Sequence, residues 1–470
     1  MRQNQWKRRA GLRAAAGLLG ASAAVAGFAM PANAATVPAA NHMVIGAGSN
    51  TTYFLMNQLS QLFNQSPGCD LAAPSGGTQN LNYSCPSPQN ATGGENGLGD
   101  GSGYTNTGSV AQGDPENPYN DVVVEEPPLG SSNGIKELEQ RGTNPAPSDF
   151  ARSSRGPNNA QPVPVGDPVN TTASDPQGLN FVAYAADALP WLHWTKVSGT
   201  STPSAKIKSL SITQLAAIYN GTITDWSQIP KGKAGPIAVY MAQAGSGTEG
   251  TWAQILQLTS ATPAGVTNPA THVIFENEIK GILNNGDEKN AIFYFSYGKF
   301  QTVCVPATAK AKTAACGGDK SPSGSAFALG EESITTGGAP IVASQTTIQN
   351  GSFPTDRLFW NVYSNGTNAT IPASSQAALN FVSEWGFICK QDSAVDSNSG
   401  LSYGSEIQSA ILANGVFPLS SATMDAANVD SNAVITDPGY KFVDPQSQAP
   451  NPATQQGRCR VFTTDGDGIS

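Results

Sequence analysis

Charge is scarce in this chain. Only 13% of its 470 residues are Asp, Glu, Lys or Arg, against roughly 25% in ordinary globular proteins. The polar surface must then come from Ser, Thr, Asn and Gln, which suits an exported protein better than a cytosolic one. Histidine is scarcer still: His42, His193 and His272 stand alone, and no C-x-x-C occurs, so no metal site of zinc spacing is expected. The D-x-D-x-D-G spacing of a calcium loop is also missing. The net charge is −9, and an acidic chain is a poor nucleic-acid binder. It can still bind a small anion, because the field inside a site is local.

Acid is absent from the first thirteen residues, which carry Arg2, Lys7, Arg8, Arg9 and Arg13. An Ala/Gly-rich apolar stretch, Ala14 to Met30, follows, and then the small-x-small triplet Ala32-Asn33-Ala34. This is the pattern of a secretory signal peptide over 1–34, removed to leave Ala35 first. The apolar stretch is too rich in Ala and Gly to read as a membrane anchor. Arg8-Arg9 leaves twin-arginine export open beside the general route. No cysteine lies near the cleavage site, so no lipid anchor is expected there, and the protein is read as secreted. Removing five positive charges and no negative one takes the net charge from −9 to −14. Six cysteines remain: Cys69, Cys85, Cys304, Cys316, Cys389 and Cys459. An even count in an exported chain reads as disulfides. Local pairing of Cys69 with Cys85 and Cys304 with Cys316 is simplest and leaves Cys389 with Cys459; other pairings stay open.

What the chain does have is three short clusters of small polar residues. They are Gly46-Ala47-Gly48-Ser49-Asn50-Thr51, Gly130-Ser131-Ser132-Asn133-Gly134 and Gly245-Ser246-Gly247-Thr248. Each follows an apolar stretch and precedes an amphipathic one. That order aims helix N-termini, free backbone N–H groups and hydroxyls at one place, which suits an oxyanion. A single such cluster would be an ordinary N-cap. Between them the chain alternates apolar runs of strand type, such as Leu179 to Leu189 and Ile237 to Met241, with helical spacing, such as Met56, Leu59, Leu62 and Phe63. The alternation predicts an α/β class. From Asn64 to Asn120 the chain is rich in Gly, Asn, Ser, Pro and Asp, a long loop or insertion.

Taken together, these segments resemble the phosphate-binding proteins of bacterial ABC transporters. The family's Gly-Ala-Gly opening, its Gly-Ser-Ser-Gly-Gly segment and its Gly-Ser-Gly-Thr are similar to the three clusters. Its Leu-x-x-Ile-Tyr-x-Gly-x-Ile-x-x-Trp matches Leu215 through Trp226, and its Ala-Ile-Gly-Tyr matches Ala291-Ile292-Phe293-Tyr294. Its Asp-Phe-Gly-Ala-Ser-Asp is similar to Asp149-Phe150-Ala151-Arg152-Ser153-Ser154. The resemblance implies a two-lobed type II periplasmic-binding-protein fold with mixed sheets and two interlobe crossings, near Tyr184 to Leu189 and Asp356 to Val362. Lobe I would be 35–185 and 360–470, with the insertion 64–120, and lobe II 186–359. The implied function is capture of a small oxyanion, phosphate first, by a monomer that serves an ABC permease. No cofactor is implied.

The charged residues depart from the family pattern. Its pocket Asp falls on Ser154, its phosphate-binding Arg on Ala242, and the acid near that Arg on Ala244. Arg152 and Arg155 lie in a pocket segment, and Arg152 is the candidate replacement for the missing positive charge. The expected ligand-binding set is Asn50, Thr51, Ser131, Ser132, Arg152, Ser153, Ser154, Ser246, Gly247 and Thr248. Two rival readings stand beside it. Gly130 to Gly134 also satisfies G-x-S-x-G, which would make Ser132 the nucleophile of a secreted hydrolase or phosphatase, with Asp225 and His272 following in order. Pro127-Pro128 argue against the strand such an elbow needs. The third reading is an extracellular recognition protein that keeps the fold without transport.

Overall fold

Among the described residues, seven strands form one sheet and five another. The computed structural model describes residues 43–65, 122–128, 130–141, 148–157, 175–258, 263–306, 313–383, 386–390, 396, 399–419 and 459–463. All lie in the compact unit Pro38–Ser470. The signal segment, the Cys69–Cys85 pair and all but the first two residues of the 64–120 insertion fall outside the described residues.

The first sheet is built from β1 (Met43–Gly48), β2 (Val122–Glu125), β3 (Phe150–Ser153) and β4 (Leu179–Ala188), with later strands Asp356–Ser364, Phe417–Pro418 and Arg460–Thr463. β1 runs parallel to both β2 and β3, while the strand Asp356–Ser364 runs antiparallel between β3 and β4. The second sheet centres on β5 (Trp191–Val197), beside Ala291–Tyr294 and Ala326–Leu329, with Ala238–Val239 parallel to Ala291–Tyr294. Both sheets are therefore mixed, and the α/β class expected from the alternation is observed. β4 and β5 are separated only by Leu189-Pro190, and the chain returns to the first sheet at Asp356.

Burial follows the two-residue period of a strand with helices on both sides. In β4, Val182 and Tyr184 belong to one apolar cluster, with Phe63, Phe381 and Ile407. Phe181 and Ala183 belong to another, with Leu138, Ile348 and Trp360. The second sheet has its own core around Trp191, Trp194, Trp226, Trp252 and Tyr294. Each large side chain taken fully from water contributes about 1.5–3 kcal/mol. That leaves few polar positions in the strands, and those few mark the site.

Helices start where the small residues are. α1 (Tyr53–Gln65) follows the first cluster, α2 (Ser131–Glu139) starts inside the second, and the helix Gly247–Ile255 starts inside the third. The helix Ile212–Tyr219 opens on a capping box: Gln214 N donates to Ser211 Oγ at 3.1 Å, and Ser211 N donates to Gln214 Oε1 at 2.9 Å. Cys304–Cys316 and Cys389–Cys459 are disulfides, as local pairing leads one to expect. After the strand Asp356–Ser364 come two short helices, Gln376–Val382 and Phe387–Lys390. β5 has no counterpart among the expected strands, because its Trp-Leu-His-Trp run has no clean alternation.

Candidate functional site

Backbone contacts first bring the three clusters together. Gly130 N donates to Gly48 O at 3.1 Å, and Ser132 N donates to Gly245 O at 3.2 Å. Gly130 has φ of 96°, and a Cβ there would collide with the Gly245 carbonyl, so only glycine allows this approach. Gly247 is similarly confined: a Cβ would run into the hydroxyls of Ser131 and Ser154.

Around this junction lies a set of buried hydroxyls. Ser49 Oγ donates to Ser154 Oγ at 3.1 Å, and Ser154 N donates to Ser131 Oγ at 3.0 Å. Ser246 caps its helix by accepting from Thr248 N and Glu249 N, and its hydroxyl donates to Glu276 Oε2. Thr51 Oγ1 donates to Glu276 Oε1 at 3.3 Å and accepts from Asn277 Nδ2 at 3.0 Å. Thr51 and Thr248 hydroxyls are 3.2 Å apart. The single Thr51 proton goes to Glu276, so Thr248 is the donor between them. Arg357 Nη1 in turn donates to Thr248 Oγ1 at 2.9 Å. A directional relay results: Arg357 to Thr248 to Thr51 to the Glu276 carboxylate. A cation stands at one end and an anion at the other.

Arg357 lies opposite Asp187 in the antiparallel pairing of its strand with β4. Its Nε and Nη2 donate to Asp187 Oδ2 at 3.0 and 2.8 Å. Its Nη1 also reaches Ser154 O at 3.3 Å. A second cation, Lys299, places its ammonium 4.6 Å from the centre of the Phe54 ring on α1. Burial pulls the Lys299 pKa down to about 8, against the opposing pull of Glu276 and Asp187. Asn50 contributes an amide whose oxygen and nitrogen are both buried without a protein hydrogen bond.

Not every expected site residue joins this set. Asn50, Thr51, Ser131, Ser154, Ser246, Gly247 and Thr248 surround the junction. Arg152 does not offer its charge there. Its Nη1 donates to Glu125 Oε2 at 2.6 Å and to Gly46 O, its Nε to Ser49 O and its Nη2 to Glu126 O. Its side chain and that of Glu125 are fully buried. Burial raises the Glu125 pKa, with Arg152 pulling it back. The expectation that Arg152 replaces the family's arginine is thus corrected: its donors are engaged beneath the first cluster. Ser153 turns into a local loop, its Oγ donating to Arg155 O at 2.7 Å. Ser132 Oγ accepts from Arg155 Nε at 3.0 Å, and Arg155 is held in turn by both oxygens of Asp175.

The geometry also separates the residues of the hydrolase reading. Asp225 accepts from Ser227 N at 2.9 Å and from Gly235 N at 3.0 Å. His272 Nε2 is 3.0 Å from Asp287 Oδ2, and its ring stacks on Tyr240. Ser132 is bound to neither. His193 is buried against Trp191, and burial pulls its pKa down to about 3, so it is a neutral core residue. Among the described residues no group of three or more His, Cys, Asp or Glu could hold a metal ion.

Arg357, Asp187, Glu276 and Lys299 are the residues that motif reading missed. A signal for two of them was present. Asp187 interrupts the apolar run Leu179 to Leu189, and Arg357 is the second residue of the strand Asp356–Ser364. In a chain this poor in charge, two opposite charges in buried strands should pair.

Residues 86–384 match the model described as a PBP superfamily domain. The match bears out the expected type II periplasmic-binding-protein fold. No curated protein matches. Among solved structures, the chain is similar to a substrate-binding protein ascribed to phosphate ABC transport, with bound phosphate, from Clostridium perfringens. That likeness is 15% identical with a TM-score of 0.44, over 81% of this chain and 100% of the other. An ABC-type phosphate transport receptor from Vibrio cholerae is 18% identical, with a TM-score of 0.39, over 73% and 98%. PstS from Borrelia burgdorferi is 15% identical, with a TM-score of 0.38, over 81% and 99%. Among the described residues no helix is long and apolar enough to cross a membrane.

Proposed function

The chain belongs to the PBP superfamily, and from that premise we propose that it is a secreted solute-binding protein. Its ligand is a small oxyanion, phosphate first, held between the two sheets for an ABC permease. The reading rests on the relay from Arg357 through Thr248 and Thr51 to Glu276. An oxyanion that still carries a proton satisfies both ends. Its charged oxygens take N–H groups from Arg357 and from the helix start at Gly247. Its hydroxyl donates to the carboxylate. Phosphate keeps a proton at neutral pH and sulfate does not, so an unmatched sulfate oxygen would face Glu276. The reading needs no chemical step, and Ser132 Oγ accepts from the Arg155 guanidinium, a cation. Export through the 1–34 segment fits this role. A monomeric mature chain beginning at Ala35 is the form that would act.

Calorimetry with phosphate, sulfate and a simple phosphate monoester at neutral pH tests the reading. Phosphate should bind, and more tightly than sulfate. Glu276→Gln should narrow that preference. If the folded wild type binds none of the three, the anion reading fails. The intact mass of secreted material should correspond to a chain starting at Ala35, and retention of the Arg-rich segment would count against export by this route.

A further inference from the structure

We propose that Asp187 is a positioning residue that aims Arg357 at the anion and fixes the helix start that carries Lys299. The proposal rests on the anion reading above, but it makes a statement about side-chain order that can be tested without ligand. Four donors from two other elements and their flanks converge on this one carboxylate. Oδ2 accepts from Arg357 Nε at 3.0 Å, Arg357 Nη2 at 2.8 Å and Ser296 Oγ at 2.8 Å. Oδ1 accepts from Gly298 N at 3.0 Å. Asp187 is fully buried, at the end of β4, one residue before the chain leaves the first sheet.

The two ends of this cluster act on different cations. Arg357 spends two of its nitrogens on Asp187, which leaves Nη1 fixed toward Thr248 Oγ1 and Ser154 O. Ser296 caps the helix Tyr297–Val303 and accepts from Lys299 N at 3.2 Å. That helix start is itself held by Asp187, so the carboxylate also sets where the Lys299 ammonium stands over Phe54. A flexible guanidinium and a flexible ammonium are thereby held in one geometry before a ligand arrives, which removes an ordering cost from binding.

The sign of one experiment separates positioning from plain electrostatics. Asp187→Asn removes a negative charge from the pocket. If Asp187 acted only through its charge, anion affinity would rise. If it positions Arg357 and Lys299, affinity for phosphate falls at least tenfold. A second readout needs no ligand: the Arg357 Nε–H, buried and donated to Asp187 in the wild type, exchanges slowly with water in NMR and loses that protection in Asp187→Asn. Tighter or unchanged phosphate binding, or retained Nε–H protection, overturns the proposal. If the wild type binds no phosphate, the anion reading falls by itself, and Nε–H protection alone decides the role of Asp187. Should Asp187→Asn not fold, Ser296→Ala removes one of the four donors. It should weaken phosphate by roughly threefold to fivefold, and an unchanged affinity in it overturns the proposal equally.

Discussion

Among the described residues, two buried arginine–carboxylate pairs lie within the first sheet, and they do different work. Arg152 pairs with Glu125 and gives its remaining N–H groups to the carbonyls of Gly46, Ser49 and Glu126. All these partners belong to the ends of β1 and β2. Arg357 pairs with Asp187 and sends its last nitrogen across to Thr248, in the third cluster. The first pair closes on itself and shapes a loop. The second keeps one donor pointed into the junction between the sheets. Closeness to a motif in sequence picked the first, whereas the direction of Nη1, toward Thr248 and Ser154, picks the second.

The largest expected effect breaks the first pair. Arg152→Met should cost about 3–5 kcal/mol of stability, because it leaves Glu125 buried without its cation. Chemical denaturation measures this, and Glu125→Gln added to Arg152→Met should recover part of the loss. A cost below about 1 kcal/mol would mean that Arg152 does not hold the loop. The second pair should fail differently. Arg357→Lys keeps a charge opposite Asp187 but cannot reach Thr248 as well. Phosphate affinity should drop by about 1.5–3 kcal/mol, the range for hydrogen bonds to charged groups, while stability changes less than in Arg152→Met. Titration calorimetry beside thermal denaturation separates the two.

A third carboxylate region sharpens the contrast because it has no arginine of its own. Glu332 and Asp356 are buried near each other, and burial raises both pKa values well above the usual carboxylate range. For Glu332 the Asp356 charge adds to this, and neither oxygen of the Glu332 carboxyl has a hydrogen-bond partner among the described residues. A raised folded-state pKa means that the folded protein holds protons the unfolded chain has released. The stability from these groups is complete below the ordinary carboxylate pKa and is lost as pH rises toward the folded value. Each group should contribute a slope of up to about 1.4 kcal/mol per pH unit across that window. Glu332→Gln should flatten the fall of melting temperature from acid to neutral pH, and an unchanged profile would refute the assignment. The smallest effect is expected at the relay itself. Thr248→Val removes one neutral hydroxyl and should weaken phosphate by about 1 kcal/mol, which calorimetry can resolve from the arginine variant.

The sequence carried the helix starts better than the charges that serve them. Ser131, Ser246 and Thr248 could be placed because capping chemistry is local: a cap and its helix lie within a few residues. The strand Leu179–Ala188 was visible as the apolar run Leu179 to Leu189, and the strand Asp356–Ser364 runs two residues past the crossing segment Asp356 to Val362 that the resemblance implied. Arg357 and Asp187 meet only through strand pairing across 170 positions, and no local rule encodes that distance. Glu276 is recruited by hydroxyls 30 and 225 positions away. Arg152 misled because its segment does reach the pocket through Ser154, two residues on. Alternation in an extended chain points Arg152 and Ser154 to the same face, but the long arginine folds back under the first cluster instead.

Gly247 gives the junction a built-in gauge. Its missing methyl is what lets the third helix start sit against Ser131 and Ser154. A single carbon there would act as a shim and hold the facing surfaces apart without touching any charge. Spacing at this junction is therefore a quantity the chain can set at one codon, without altering Arg357 or Glu276. Descendants of this sequence could trade a small anion for a bulkier one by thickening that shim, while leaving Arg357 and Glu276 where they are.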